Sequence, residues 1–347
     1  MELRREVFSV VGSVACALLV LAPIDTPAAS CGGDKICACG DKVTRDYRLP
    51  ADLGPCPKEG LKVGARVTLD GGGHAIRGPG PAVEGAGLRL GEDASGSQVA
   101  NLTISGFEHG IRLVGARQVH LKDVAAHGNG DPGPREGYGI DLSSAASDNV
   151  LERVNVHDNA DEGIHVGTDA ARNRIVDSQI HGNGRENVYF LACRDNRLER
   201  SKMHGSGAGN ASVYVKFASG TVLEGNTVDG GPIQIRGGSR DTQLIGNTLT
   251  GAGVVLEEQN DRRFGPGKPT GTTVRGGSIS APGACVRIES AQGTRIDDVA
   301  LSCPDGIRVG KGSRVAVRLP GTGTGKLPVR CAGKGDCVDR LGVATVP

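Results

Sequence analysis

The sequence predicts an all-β chain wound as a right-handed parallel β-helix, a solenoid of about nine to ten coils. Three observations carry this. One short strand pattern recurs along the chain, and a second follows each copy of the first a few residues later. The third observation is that 56 of the 347 residues are Gly, which suits a fold dense in tight turns because Gly takes positive φ without a steric penalty. The regular recurrence of apolar residues, 37% of the chain, argues against disorder. No stretch beyond the N-terminal leader keeps a 3.6-residue period for three turns, so a helical fold is excluded.

The first pattern is an apolar residue, two or three polar ones, then apolar, polar and a turn. It runs through Val99–Ile104, Leu121–Ala126, Leu151–Val156, Ile175–Ile180, Leu198–Met203, Leu223–Val228, Leu244–Leu249, Val274–Ile279 and Ile296–Leu301. The second is apolar-polar-apolar: Ile111–Leu113, Ile140–Leu142, Ile164–Val166, Val188–Phe190, Val213–Val215, Ile233–Ile235, Val254–Leu256, Val286–Ile288 and Ile307–Val309. Period-two alternation means strands, and three-residue strands do not stand alone. Stacking pairs each with its counterparts above and below, in parallel because every copy runs the same way. Asn129, Asn159 and Asn183 each follow a His by two residues. Asn tolerates left-handed backbone and bonds its own chain, so these three are expected to form an asparagine ladder at one corner.

In chain order, residues 1–30 read as an export signal: Arg4 and Arg5, an apolar stretch from Val7 to Ala22, and small residues before Cys31. Cleavage would release a soluble protein, secreted, periplasmic or cell-surface; the rival outcome, lipidation of Cys31, would tie it to a membrane. Residues 31–62 form a Cys-rich N-terminal cap, 63–318 the β-helix and 319–347 a C-terminal cap, the ends a stack needs against edge-to-edge growth. An insertion from Glu257 to Gly271 is expected to project from a corner, where it could wall a groove. Cys16 leaves with the signal. Cys31, Cys37, Cys39 and Cys56 cluster near the start, Cys285 and Cys303 lie one coil apart, Cys331 and Cys337 close a short loop, and Cys193 is left over. Export and this spacing favour disulfides over zinc.

With a net charge of +1, charges of both signs mixed and no basic run, nothing points to a nucleic acid. Function is better sought in the outward positions. Those closing the first strand read Ser105, His127, His157, His181, His204, Asp229; those central in the second read Arg112, Asp141, His165, Tyr189, Tyr214, Gln234, Val255, Arg287, Arg308. Five of the eight His and three of the four Tyr fall between His127 and Tyr214. Asp141, His165 and Tyr189 should stack on consecutive coils, with Lys216 just after Tyr214, and acid, imidazole and phenol at that spacing can exchange protons with one substrate. Arg153, Arg185 or Lys216 could neutralise a substrate carboxylate. A solvated polar ladder with no role is the plain alternative, for this group and for the column His127, His157, His181, His204 alike. A metal on the His column is a further alternative, although an even ladder lacks the convergence of a closed site; calcium at Asp141, Asp161 and Glu162 is another of equal weight.

Coils with Asn at the corners resemble the pectin-lyase-like superfamily. Its secreted bacterial members open much as this chain does over Cys39–Val43, Leu49–Cys56 and Val67–His74. Within it, Tyr138-Gly-Ile-Asp141, with His157-Asp-Asn159 and Gly163-Ile-His165, is similar to alginate (mannuronan) C5-epimerases, which carry Tyr-Gly-Phe-Asp-Pro-His on one coil. Tyr138 and Asp141 match, while Leu142 and Ser143 stand in place of the Pro and His; His165, one coil on, could substitute. The resemblance implies action on, or binding to, an acidic polysaccharide. The expected protein is therefore an exported monomer that binds an acidic glycan and abstracts a C5 proton, as lyase or epimerase, with no cofactor required. Asp141, His165, Tyr189, Tyr214 and Lys216 would be catalytic, and Tyr138, Arg153, Arg185, His157, His181 and His204 would bind substrate. The alternative is a non-catalytic glycan-binding or cell-surface module.

Overall fold

The computed structural model describes residues 28–80, 84–131, 137–319 and 329–332, and the backbone of 337–338. Across them the chain is a parallel β-helix with three faces. Face one is a 14-stranded parallel sheet that runs from Ser30–Cys31 through Ile140–Ser143, Ile164–Val166, Val188–Leu191 and Val213–Lys216 to Val329–Cys331. The first sequence pattern builds the other two. It is one continuous strand in Gln98–Ser105 and His120–His127, then splits into face two (Val150–Glu152, Arg174–Val176, Arg197–Glu199) and face three (Asn155–His157, Gln179–His181, Lys202–His204). The split falls on a left-handed residue, Arg153 at φ 50°, Asp177 at 52° and Arg200 at 45°. The stack is longer than the nine to ten coils expected, because the N-terminal segment adds coils to it: Leu61–Val63 is a further copy of the second pattern, and Lys42–Val43 a shorter strand paired on it. Among the described residues the one helix is the 3-10 turn Glu92–Ala94, and none is long and apolar enough to cross a membrane.

The interior is what the repeats dictate. Ile111, Ile140, Ile164, Val188, Val213, Ile233, Val254 and Val286 form one column, each at most 1% exposed. Burial of such a side chain contributes about 1.5–3 kcal/mol. The asparagine ladder is present: Asn129 donates to Asn159 at 3.0 Å, Asn159 to Asn183 at 3.0 Å and Asn183 to Asn187 at 3.0 Å. Its backbone conformation differs from expectation. The left-handed residue is the one before each Asn, namely Gly128, Asp158 and Gly182, so the amide side chain turns inward and satisfies the next coil. A second ladder, Asn149–Asn173–Asn196, lines another corner.

Disulfides join Cys31 to Cys37, Cys39 to Cys56 and Cys285 to Cys303. Cys331 is also disulfide-bonded; its expected partner Cys337 has a side chain outside the described residues. Cys193 is free and buried. Residues 1–27, which hold Cys16 and most of the expected signal, lie outside the described residues. The segment 31–62 pairs directly into face one, as Ser30–Cys31 on Lys42–Val43 and Lys42–Val43 on Lys62 and Val63. Within the Glu257 to Gly271 insertion, Gln259–Asp261 and Gly265–Gly267 pair as an antiparallel hairpin.

Candidate functional site

The register of face one brings four expected residues into one column: Asp141 pairs with His165, His165 with Tyr189, and Tyr189 with Tyr214. These outward positions are not solvated. Asp141 is 2% exposed, and Tyr189 and Tyr214 are 8% exposed. The turns entering face one fold over them, and the hairpin leans back onto Tyr214 from two coils away. Its Gln259 accepts a hydrogen bond from the Tyr214 hydroxyl at 3.0 Å, Asp261 meets Lys216 at 2.7 Å, and Phe264 packs on Phe217 with ring centroids 5.0 Å apart. The result is a cleft of about 590 Å³ lined by Tyr138, Ser143, Ser144, Glu162, His165, Thr168, Asp169, Arg185, Tyr189, Leu191 and Arg263.

Asp141 orders the base of the cleft. One carboxylate oxygen lies 3.0 Å from His165 Nδ1; the other accepts from Ser143 Oγ at 2.9 Å and from Arg112 Nε at 3.3 Å. Burial alone would raise its pKa, but the bonds from His165, the Arg112 charge and Ser143 outweigh burial and hold it below the usual carboxylate range. An ionised carboxylate only accepts, so Nδ1 of His165 must carry the proton and Nε2 is left as the acceptor. The imidazole is clamped by rings: Tyr138 stacks on it at 4.5 Å, and Tyr189 tilts against it at 5.7 Å. Burial first, then the neighbouring Tyr214, Glu162 and Glu186, push the Tyr189 phenol well above its ordinary value, so it stays protonated.

Opposite this column stand charges the sequence had offered, Arg185, Asp161 and Glu162, together with two it had not singled out, Glu186 and Arg263. Arg185 lies 3.2 Å from both Asp161 and Glu162 and 3.6 Å from Glu186. Burial, with the repulsion of Asp161, pushes Glu162 up to about 8, and burial also raises Glu186. Their Oε2 atoms are buried with no hydrogen-bond partner. Arg263, from the hairpin, stacks on Phe264 at 5.1 Å and makes no ion pair among the described residues. The repeat contained a sign of the carboxyl pair: Glu162 and Glu186 both stand two residues before a face-one strand. The insertion expected to wall a groove does line the cleft through Arg263, but nothing in the sequence said which coils it would cover.

The remaining expectations need correction. Arg153 is not at the cleft; it is a left-handed corner residue bonded to Asp123 at 2.7 Å, as Arg172 is to Asp148 and Arg200 to Asp177. Lys216 is paired with Asp261 beneath the hairpin, and Tyr214 is covered there, so neither lines the cleft. His127, His157, His181 and His204 do form a ladder, with rings stacked 4.9, 5.0 and 4.6 Å apart, but on face three, and none lines the cleft. Burial, then neighbouring imidazoles, lower His127 and His181. The calcium trio is not assembled: Asp141 bonds His165, Ser143 and Arg112, whereas Asp161 and Glu162 face Arg185. Among the described residues no three His, Cys, Asp or Glu side chains converge as a metal site.

Residues 85–249 match the family model described as a right handed beta helix region. The fold is a right-handed parallel β-helix. No curated protein matches the chain. Solved structures similar to it include ORF18 of a Geobacillus virus, at 11% identity over 81% of this chain and 54% of that one, with a TM-score of 0.49. A double mutant of the periplasmic alginate epimerase AlgG is 13% identical over 76% of each chain, TM-score 0.49. The A-module of an Azotobacter vinelandii mannuronan C-5 epimerase is 14% identical over 81% of this chain and 78% of that one, TM-score 0.45. This chain spans about half the length of the viral ORF18 protein.

Proposed function

We propose that this chain is an exported, soluble polysaccharide-active protein that binds an acidic glycan across the middle coils and abstracts the C5 proton of a uronic acid unit. The observation that carries the reading is the Asp141–His165–Tyr189 column, closed into a cleft beside Arg185 and Arg263. Proton removal next to a carboxylate needs charge neutralisation, a base and an acid. Arg263, with Arg185, would hold the sugar carboxylate as negative charge moves onto it. His165 Nε2 takes the C5 proton, and Asp141 steadies the imidazolium. The electron pair left at C5 then has two outcomes. It can form a C4–C5 double bond as the C4–O bond breaks and the leaving oxygen takes the Tyr189 proton, which is elimination. Alternatively, C5 is reprotonated from the other side, which is epimerisation. None of these steps requires a metal, because the arginines carry the charge. Export with loss of residues 1–30 belongs to the same reading, as does the pairing of the Cys31 sulfur with Cys37 rather than with a lipid.

The test is absorbance near 235 nm, where elimination products carry a new double bond, with pectate, alginate and glycosaminoglycans, alongside deuterium uptake from solvent at C5. Each assay is run with and without calcium chelation. Absorbance with one glycan assigns a lyase, and deuterium uptake without absorbance an epimerase. Neither signal with any of them refutes the enzyme and leaves the second reading, a non-catalytic glycan-binding module, which the partly exposed His ladder on face three favours.

A further inference from the structure

Toward the C-terminal end, the outward column of face one changes character. From Tyr214 it continues through Gln234 and Val255 to Arg287, then Arg308 and Arg330, each paired in register with the next. Parallel strands lie about 4.8 Å apart, so three guanidinium groups rise from a span of roughly 10 Å, beginning roughly 19 Å beyond Tyr189. They line a separate groove of about 510 Å³, with Ile288, Val309 and Cys331 among the other lining residues.

Their countercharge is incomplete. Arg287 meets Glu289 at 3.0 Å, while Arg308 and Arg330 share Asp305, at 2.8 Å and 3.8 Å. Each arginine remains about half exposed. Earlier in the same column each arginine has a carboxylate of its own, Arg89 with Glu59 and Arg112 with Asp141. Like charges directly opposite on neighbouring strands destabilise a sheet, so an under-neutralised run of three needs an anion to offset it. Arg presents a planar fork that takes carboxylate or sulfate bidentately. The interval between coils is close to the advance of an extended glycan per sugar unit.

We propose that Arg287, Arg308 and Arg330 form a binding subsite for a linear anionic polysaccharide lying parallel to the solenoid axis. The ladder would grip acid groups on successive sugars, on the same face as the cleft. This inference concerns binding alone and does not depend on proton chemistry at His165.

The experiment measures binding by calorimetry in the full chain carrying His165→Ala, which removes the cleft's base. The probes are oligogalacturonates, oligomannuronates and heparin-derived oligosaccharides of increasing length. Arg287→Gln/Arg308→Gln/Arg330→Gln is expected to weaken the best probe at least tenfold and to flatten its salt dependence, whereas Asp305→Asn, which frees two arginines, should tighten it severalfold. Preference for uronates or for sulfated oligomers identifies which anionic glycan the ladder takes. The proposal is overturned if the triple variant binds within twofold of its parent while Asp305→Asn changes nothing, or if no glycan binds. It is equally overturned if double-stranded DNA or anionic vesicles bind more tightly through the same arginines. Should the triple variant be poorly folded by circular dichroism, Asp305→Asn decides alone. Absence of turnover in the parent chain, with ladder binding intact, would fail the cleft reading and leave this one standing.

Discussion

Replacing Asp141 by Asn tests the base of the cleft with a change of one atom and one charge. The geometry dictates how the new amide must lie. On one side Ser143 Oγ and Arg112 Nε both donate toward Asp141, at 2.9 and 3.3 Å. An amide nitrogen placed there would face two donors, so the amide oxygen takes that side and the NH2 turns to His165. His165 Nδ1, 3.0 Å away, must then accept, which moves its proton to Nε2, the nitrogen that should receive the substrate proton. A wrong tautomer of this kind in an otherwise intact site lowers kcat by about 10⁴ in the Asp-His-Ser proteases, or about 5.5 kcal/mol of barrier. We expect a loss of about 10³–10⁴ in kcat for Asp141→Asn, with KM changed little because the arginines are untouched. Two readouts are needed. The rate comes from absorbance at 235 nm or from C5 exchange. The tautomer comes from histidine ring nitrogen shifts in labelled protein, with the His165 signal assigned through His165→Ala. The reasoning is refuted if Asp141→Asn keeps activity within tenfold, or if the protonated nitrogen of His165 is Nε2 in the parent or Nδ1 in the variant.

Three further outcomes follow from the same geometry. Arg263→Gln should raise KM about tenfold or more by removing an unpaired cation from the cleft, whereas Arg153→Gln should leave both kinetic constants unchanged, since Arg153 is bonded to Asp123 at a corner; steady-state kinetics of the two variants decides. Glu162 titrates at about 8 folded against 4.5 for a free carboxyl, so the folded state holds the extra proton between those values and stability falls as pH rises through that window. Melting curves should show Glu162→Gln matching the parent near pH 5 and exceeding it above pH 8. Asn159→Ala should cost about 2–6 kcal/mol, since it orphans the buried Asn129 N–H and the Ala126 carbonyl, each worth about 1–3 kcal/mol; in urea unfolding, exposed Asn260→Ala on the hairpin should stay within about 0.5 kcal/mol.

The parts legible in the sequence were those the coil repeats. Val188 and Val213 could be stacked on paper because period-two alternation and a common chain direction leave one register, and the same rule placed His165 between Asp141 and Tyr189. What repetition does not encode was missed. The left-handed residue at Arg153 turned its side chain to a corner and took it out of the site. The hairpin arises from one insertion, so no neighbouring coil predicted that Gln259, Asp261 and Phe264 would cover Tyr214, Lys216 and Phe217. Outward meant solvated only in the absence of that cover, and the 8% exposure of Tyr214 measures the difference.

The two histidine-bearing columns show why proton chemistry belongs to the mixed one, although the uniform one holds four imidazoles. In the face-three ladder each ring stacks on another like itself, and protonating one is opposed by burial and by any charge on the next, which lowers His127 and His181 together. Identical groups in register oppose each other's charged forms, whereas a mixed column can favour them. In the face-one column Asp141 meets His165 and His165 meets Tyr189, with a like pair, Tyr189 on Tyr214, only after them. Asp141 stabilises charge on His165, and the covered phenol of Tyr189 keeps its proton for donation. A parallel solenoid makes identical ladders easily, because one register repeats along its length. Acid and base therefore arise where the repeat is broken, and here the break falls under the cover formed by the entering turns and the hairpin, where water is partly excluded and each charge counts for more.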